Sequence, residues 1–132
     1  MQIDKVLAGV AVADWARARD WYEVLMSRPA DAVPMEGLAE WHTAGGVLQV
    51  VADRERAGGS LVTLWVPDIR AALSEVASRA GLHVEPDDTT SDKVIFATLT
   101  DLDRNAITLV QVRDGAELRG PARNQQEADD DA

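Results

Sequence analysis

Apolar and polar positions along the chain follow an order that predicts a strand, a helix and three more strands, twice over. Lys5 to Val12 is rich in Val, Leu and Ala and stops at Asp14, the pattern of a buried strand handing over to a helix. Trp15, Ala18, Tyr22 and Leu25 then recur at helical spacing with Arg17, Arg19, Asp20 and Glu23 between them. This predicts an amphipathic helix over residues 14–26, N-capped by Asp14 and ended by Ser27-Arg28-Pro29. Strands are predicted near Asp31–Met35, Leu38–Thr43 and Val47–Val51, the last two joined by Ala44-Gly45-Gly46 as a hairpin turn.

After the charged, glycine-closed loop Ala52–Gly59 the order repeats. Leu61–Val66 reads as a strand and Pro67-Asp68 breaks it. Ile69, Ala72, Leu73, Val76 and Ala80 mark a second amphipathic helix, with Gly81 as its C-cap. Further strands are expected near Leu82–Glu85, Lys93–Thr98 and Ala106–Val112. The last turn is Asp101-Leu102-Asp103-Arg104-Asn105, where the two acids cap the turn and Asn105 can take a left-handed conformation. A shift of 54 residues lays Val10, Val12, Asp14, Trp15 and Ala18 over Leu64, Val66, Asp68, Ile69 and Ala72. The expected organisation is therefore one α+β domain over 1–112, made of two βαβββ modules at about 1–58 and 59–112.

Charge narrows the partners. Among the 132 residues, 23 acidic against 13 basic side chains give a formal charge of −10. Residues 1–112 hold 17 acids and ten bases and carry −7; residues 113–132 carry the remaining −3 and read as a flexible acidic tail. So negative a field repels phosphate backbones and anionic lipid, which leaves neutral or cationic partners and argues against nucleic acid and membrane binding. No cysteine is present, so disulfides, thiolate zinc sites and thiol nucleophiles are excluded. Met1-Gln2-Ile3-Asp4-Lys5 does not read as a signal peptide, and the longest apolar stretch, Val6–Ala13, is too short to span a bilayer. The expected location is the cytoplasm.

Three motifs in order resemble the vicinal oxygen chelate superfamily, which includes glyoxalase I, extradiol dioxygenases and bleomycin resistance proteins. They are Val10-Ala-Val-Ala-Asp14 followed by Trp21-Tyr22 and Leu25-Met26-Ser27-Arg28-Pro29; Val66-Pro67-Asp68; and Asp101-Leu102-Asp103-Arg104-Asn105-Ala106-Ile107. The chain departs from the family pattern at Ser27 and Arg104, where glycine is usual, and at Leu102, where proline is usual. The resemblance spans about residues 3–112 and implies two modules with sheets curled around a cavity, and paired chains in a homodimer. It also implies four metal-ligand positions on inward strand residues, which fall on Leu7, Gln49, Leu61 and Thr108. Two leucines, an amide and a hydroxyl do not hold a divalent cation, so no metal and no cofactor is expected.

If Leu61 faces the cavity, period-two alternation sends Thr63 and Trp65 to the same side and leaves Val62, Leu64 and Val66 under the helices. The same rule turns Leu7, Gly9, Ala11, Gln49, Thr108 and Val110 inward; these residues either line a pocket or fill the space between the sheets. Trp41 can face either way and is a further pocket candidate. Glu40 and His42 share a strand face and read as a surface or satisfied polar pair. The resulting expectation is a metal-independent small-molecule binding protein for a drug-like or aromatic ligand, oriented by Gln49, Thr63 and Thr108. The alternative is a divergent lyase, isomerase or dioxygenase-type enzyme of the same superfamily.

Overall fold

The computed structural model describes residues 1–114. The elements run β1 (Leu7–Val12), α1 (Trp15–Met26), β2 (Ala32–Met35), β3 (Leu38–Thr43), β4 (Gly46–Ala52), β5 (Leu61–Trp65), α2 (Ile69–Ala80), β6 (Val94–Thr100) and β7 (Ala106–Val112). Two mixed sheets result, ordered β1-β4-β3-β2 and β5-β7-β6, so the fold is α+β as expected. In each sheet the strand before the helix pairs in parallel with the last strand of its own module, β1 with β4 and β5 with β7. No helix among the described residues is long and apolar enough to cross a membrane. The acidic segment expected over residues 113–132 lies outside the described residues from 115 onward.

Local chemistry explains the helix ends. The Asp14 and Asp68 carboxylates accept hydrogen bonds from the Arg17 and Ala71 backbone N–H groups, satisfying donors that the first helical turn leaves free. Gly81 ends α2 with φ +70°, and Ser27 ends α1 with φ +58°. Ser27 thus takes the left-handed conformation that the family's glycine supplies without strain. Arg104 does the same in the last turn, with φ +72°. The left-handed residue of that turn is therefore Arg104 and not Asn105, because the Asn105 side chain is committed to the interior.

The modules are not equal. A strand near Leu82–Glu85 does not form; Leu82 and Val84 still pack against the core, but the backbone meets β6 only through the bridge between Asp87 and Phe96. Pro86 has no N–H to offer a ladder, and the Asp87 carboxylate turns the chain by accepting from Thr89 and Thr90. The second module is accordingly βαββ, and its sheet has three strands.

Alternate strand residues form one core beneath both helices. Val10, Val12, Ala39, Trp41, Leu48 and Val50 from the first sheet, and Val62, Ile95, Ala97, Leu99, Ile107 and Leu109 from the second, join Ala18, Tyr22, Ile69, Leu73 and Val76. A buried polar joint ties the modules together. Asn105, fully buried, donates through Nδ2 to the Ala11 carbonyl and to Asp101 Oδ2, both at 2.8 Å, and its Oδ1 accepts from the Gly58 and Ser60 N–H groups. Tyr22 donates its hydroxyl to Asp101 Oδ2 at 2.7 Å, and Asp101 Oδ1 accepts from the Asp103 and Asn105 N–H groups. Glycine is required at position 58: φ is +99° and a Cβ there would lie 2.7 Å from the Asp103 carbonyl oxygen. Burial, followed by the hydrogen bond to Asp101, pushes the Tyr22 phenol far above its ordinary range.

Candidate functional site

Each sheet packs one face on the helices and turns the other outward, and the outward faces carry the residues singled out in the sequence. Because Val10, Val12, Leu48 and Val50 point into the core, the pleat sends Leu7, Gly9, Ala11 and Gln49 the other way. Strand register places Gly9 beside Gln49 and Gln49 beside Glu40. On the second sheet Val62 is buried while Leu61 is 85% and Trp65 68% exposed. Thr63 sits beside Thr108, Trp65 beside Val110, and the Thr108 hydroxyl is hydrogen-bonded to Thr98 at 2.9 Å. Trp65 thus presents a large aromatic ring on an exposed strand face.

Seven of the eight site candidates therefore fall on outward faces: Leu7 and Gln49 on the first sheet, and Leu61, Thr63, Trp65, Thr108 and Val110 on the second. Trp41 does not. It is fully buried on the helix side, its indole N–H bonded to the Arg28 carbonyl at 2.9 Å and its ring 6.3 Å from that of Tyr22. The hydrophobic side chain fills the core while its one donor is satisfied, so the pocket assignment for Trp41 is corrected. The outward faces are open, with Leu7, Leu61 and Trp65 exposed. A recess of about 350 Å³ beside Trp65 is bounded by Val66, Pro67, Gln111 and Val112. Gln111 anchors there by accepting from the Ile69 N–H at 2.9 Å. Gln111 continues the helix-side row of Ile107 and Leu109, and Val66 and Pro67 lie beyond the end of β5, so the outward row counted from Leu61 does not include them.

The polar chemistry of the first sheet gathers at Glu40. Gln49 Nε2 donates to its Oε2 at 2.8 Å, and His42 Nε2 lies 3.0 Å from its Oε1. The Gln49 hydrogen bond, then that of His42, holds the Glu40 carboxyl below its ordinary value of 4.5. The satisfied polar pair read from the sequence is thus a trio that includes Gln49.

A metal centre of the kind the resemblance implies does not fit these residues. The four ligand positions do lie on outward faces, but Leu7 and Leu61 offer no lone pair, and Gln49 and Thr108 offer only neutral oxygen. Among the described residues no three His, Cys, Asp or Glu side chains gather closely enough to hold a metal ion.

Two modules of a strand, a helix and further strands, each with its own mixed sheet, make this an α+β protein of duplicated plan. A glyoxalase/bleomycin resistance protein from Catenulispora acidiphila DSM 44928 superimposes with a TM-score of 0.75 and 32% identity, over 83% of this chain and 98% of that one. The chain belongs to the glyoxalase/bleomycin resistance family. TnmS3, an antibiotic binding protein from Streptomyces sp. CB03234, is similar at 25% identity and a TM-score of 0.67, covering 86% of this chain and 99% of that one. A glyoxalase/bleomycin resistance protein from Albidiferax ferrireducens T118 shares the fold at 15% identity, with a TM-score of 0.62 over 80% and 95% of the two chains. No family model matches the chain, and no curated protein sequence matches it.

Proposed function

We propose that the protein binds a small aromatic or drug-like molecule without a metal, on the outward sheet faces. The observation that carries this reading is Trp65, 68% exposed on a strand and set among Leu61, Thr63, Thr108 and Val110. A flat aromatic wall with neutral hydrogen-bonding groups beside it suits stacking of an uncharged or delocalised ring system. The similarity to an antibiotic binding protein supports the same reading.

Both outward faces expose apolar side chains, and a second copy related by a two-fold axis covers both at once, since each chain offers the same two surfaces. The proposed working unit is therefore a homodimer in the cytoplasm, with the ligand enclosed between chains. An enzyme of the lyase, isomerase or dioxygenase kind would need the donor set that Leu7 and Leu61 replace.

Metal analysis and titration of chelator-treated protein test the reading together. The probes are planar aromatics in charged and uncharged pairs, beginning with the cation aminoacridine and its neutral relative acridone. Saturable quenching of tryptophan emission in the chelated protein is expected. One tightly held transition metal per chain, with binding lost on its removal, would sink the proposal.

A further inference from the structure

The outward face of the first sheet has a feature that hydrophobic patterning does not reveal. Across the strands at one level stand Ala32, Glu40, Gln49 and Gly9, in register from β2 through β3 and β4 to β1. The level on one side reads His42, Val47 and Leu7, and the level on the other reads Leu38, Val51 and Ala11. A polar pair is thus bounded by largely apolar rows and ends in small residues. Gly9 leaves open space on this face: a Cβ built there meets nothing within 4 Å. Glu40 is the one acidic side chain among the strand residues of this face, and its side chain is only 14% exposed.

We propose that Glu40, Gln49 and the open space over Gly9 form a subsite for the cationic group of the ligand, a protonated amine or an amidinium; this rests on the sheet faces being the ligand-binding surface. A carboxylate accepts about four hydrogen bonds, and protein donors occupy two, one on each oxygen. The remaining lone pairs are available to a donor from outside. Among the described residues no lysine or arginine forms an ion pair with Glu40; His42 touches it, and the Lys5 charge acts on it from beyond ion-pair distance. The carboxylate is held ionised by Gln49 and fixed in position before a ligand arrives, so little ordering is left to oppose binding. The strongly acidic chain adds a long-range attraction for a cation.

The test compares aminoacridine with acridone on the wild type, on Glu40→Gln and on Gly9→Leu, using equilibrium dialysis of the full chain. Glu40→Gln keeps the shape and an acceptor for Gln49, so the fold stays intact. It should weaken aminoacridine by about tenfold or more, the loss expected for a hydrogen bond to a charged group, and leave acridone unchanged. Gly9→Leu fills the open space beside Glu40 and Gln49 and should weaken aminoacridine without lowering thermal stability. If both compounds bind and neither substitution selects against the cation, the subsite proposal is overturned and the ligand-binding reading stands. If neither compound binds the wild type, both fall.

Discussion

Replacing Asn105 by alanine should destabilise the protein by about 3 kcal/mol or more, seen as a lower urea midpoint with an unchanged slope. The side chain makes four hydrogen bonds from a fully buried position, two of them to backbone N–H groups of the loop before β5 and one to the Ala11 carbonyl of the other module. Truncation leaves those half-buried groups without their partners, and each buried partner lost costs about 1–3 kcal/mol. It also releases one of the donors on Asp101, which then faces Tyr22 with its charge less compensated. A loss below about 1 kcal/mol would mean that the joint is not what ties the modules together.

The same joint has a direct optical reporter, because Tyr22 is the chain's only tyrosine. Its phenol is held far above the ordinary value of 10.0, so the folded protein should show no tyrosinate absorbance as pH rises through that value. The sign follows from linkage. The neutral phenol is favoured in the folded state, so its contribution is complete below 10.0 and is lost as pH rises above it, where the unfolded chain gains by ionising. Tyrosinate should therefore appear only with cooperative unfolding, and in Asn105→Ala at a lower pH than in the wild type. Reversible ionisation near 10.0 in folded protein would contradict the buried network.

Trp65→Ala should weaken aromatic ligands by about tenfold or more while leaving folding stability within about 0.5 kcal/mol of the wild type. The ring is largely exposed on β5, so its removal opens no cavity in the core. In a closed complex it would be a rigid aromatic wall, the kind of group that dominates binding energy. Trp41 is the converse: fully buried and hydrogen-bonded to Arg28, it belongs to stability.

That pair of tryptophans shows what the amino-acid order could and could not convey. Strand alternation from Leu61 correctly placed Thr63 and Trp65 on one face and Val62 in the core, because period two is a property of the backbone. Trp41 shares its side of β3 with buried Ala39, opposite Glu40 and His42, so the same alternation that makes those two a polar face turns Trp41 to the core. The missing strand near Leu82–Glu85 was misread: Leu82 and Val84 are apolar because they meet the core, not because their backbone pairs. Caps were legible where one residue satisfies one local need, as at Asp14 and Gly81. The Tyr22–Asp101–Asn105 joint was not, since its members lie up to 83 positions apart and only folding unites them. The Glu40–Gln49 contact is cross-strand and became visible only with the register of β3 on β4.

The most direct test of metal-free binding on the sheet face is to follow the four tryptophan indole N–H signals of isotope-labelled, chelator-treated protein as aminoacridine is added. The Trp65 signal should shift progressively to saturation while that of Trp41 stays in place. A Trp65 signal that never moves, or that moves only once a transition metal is restored, would contradict binding at the open face without a metal.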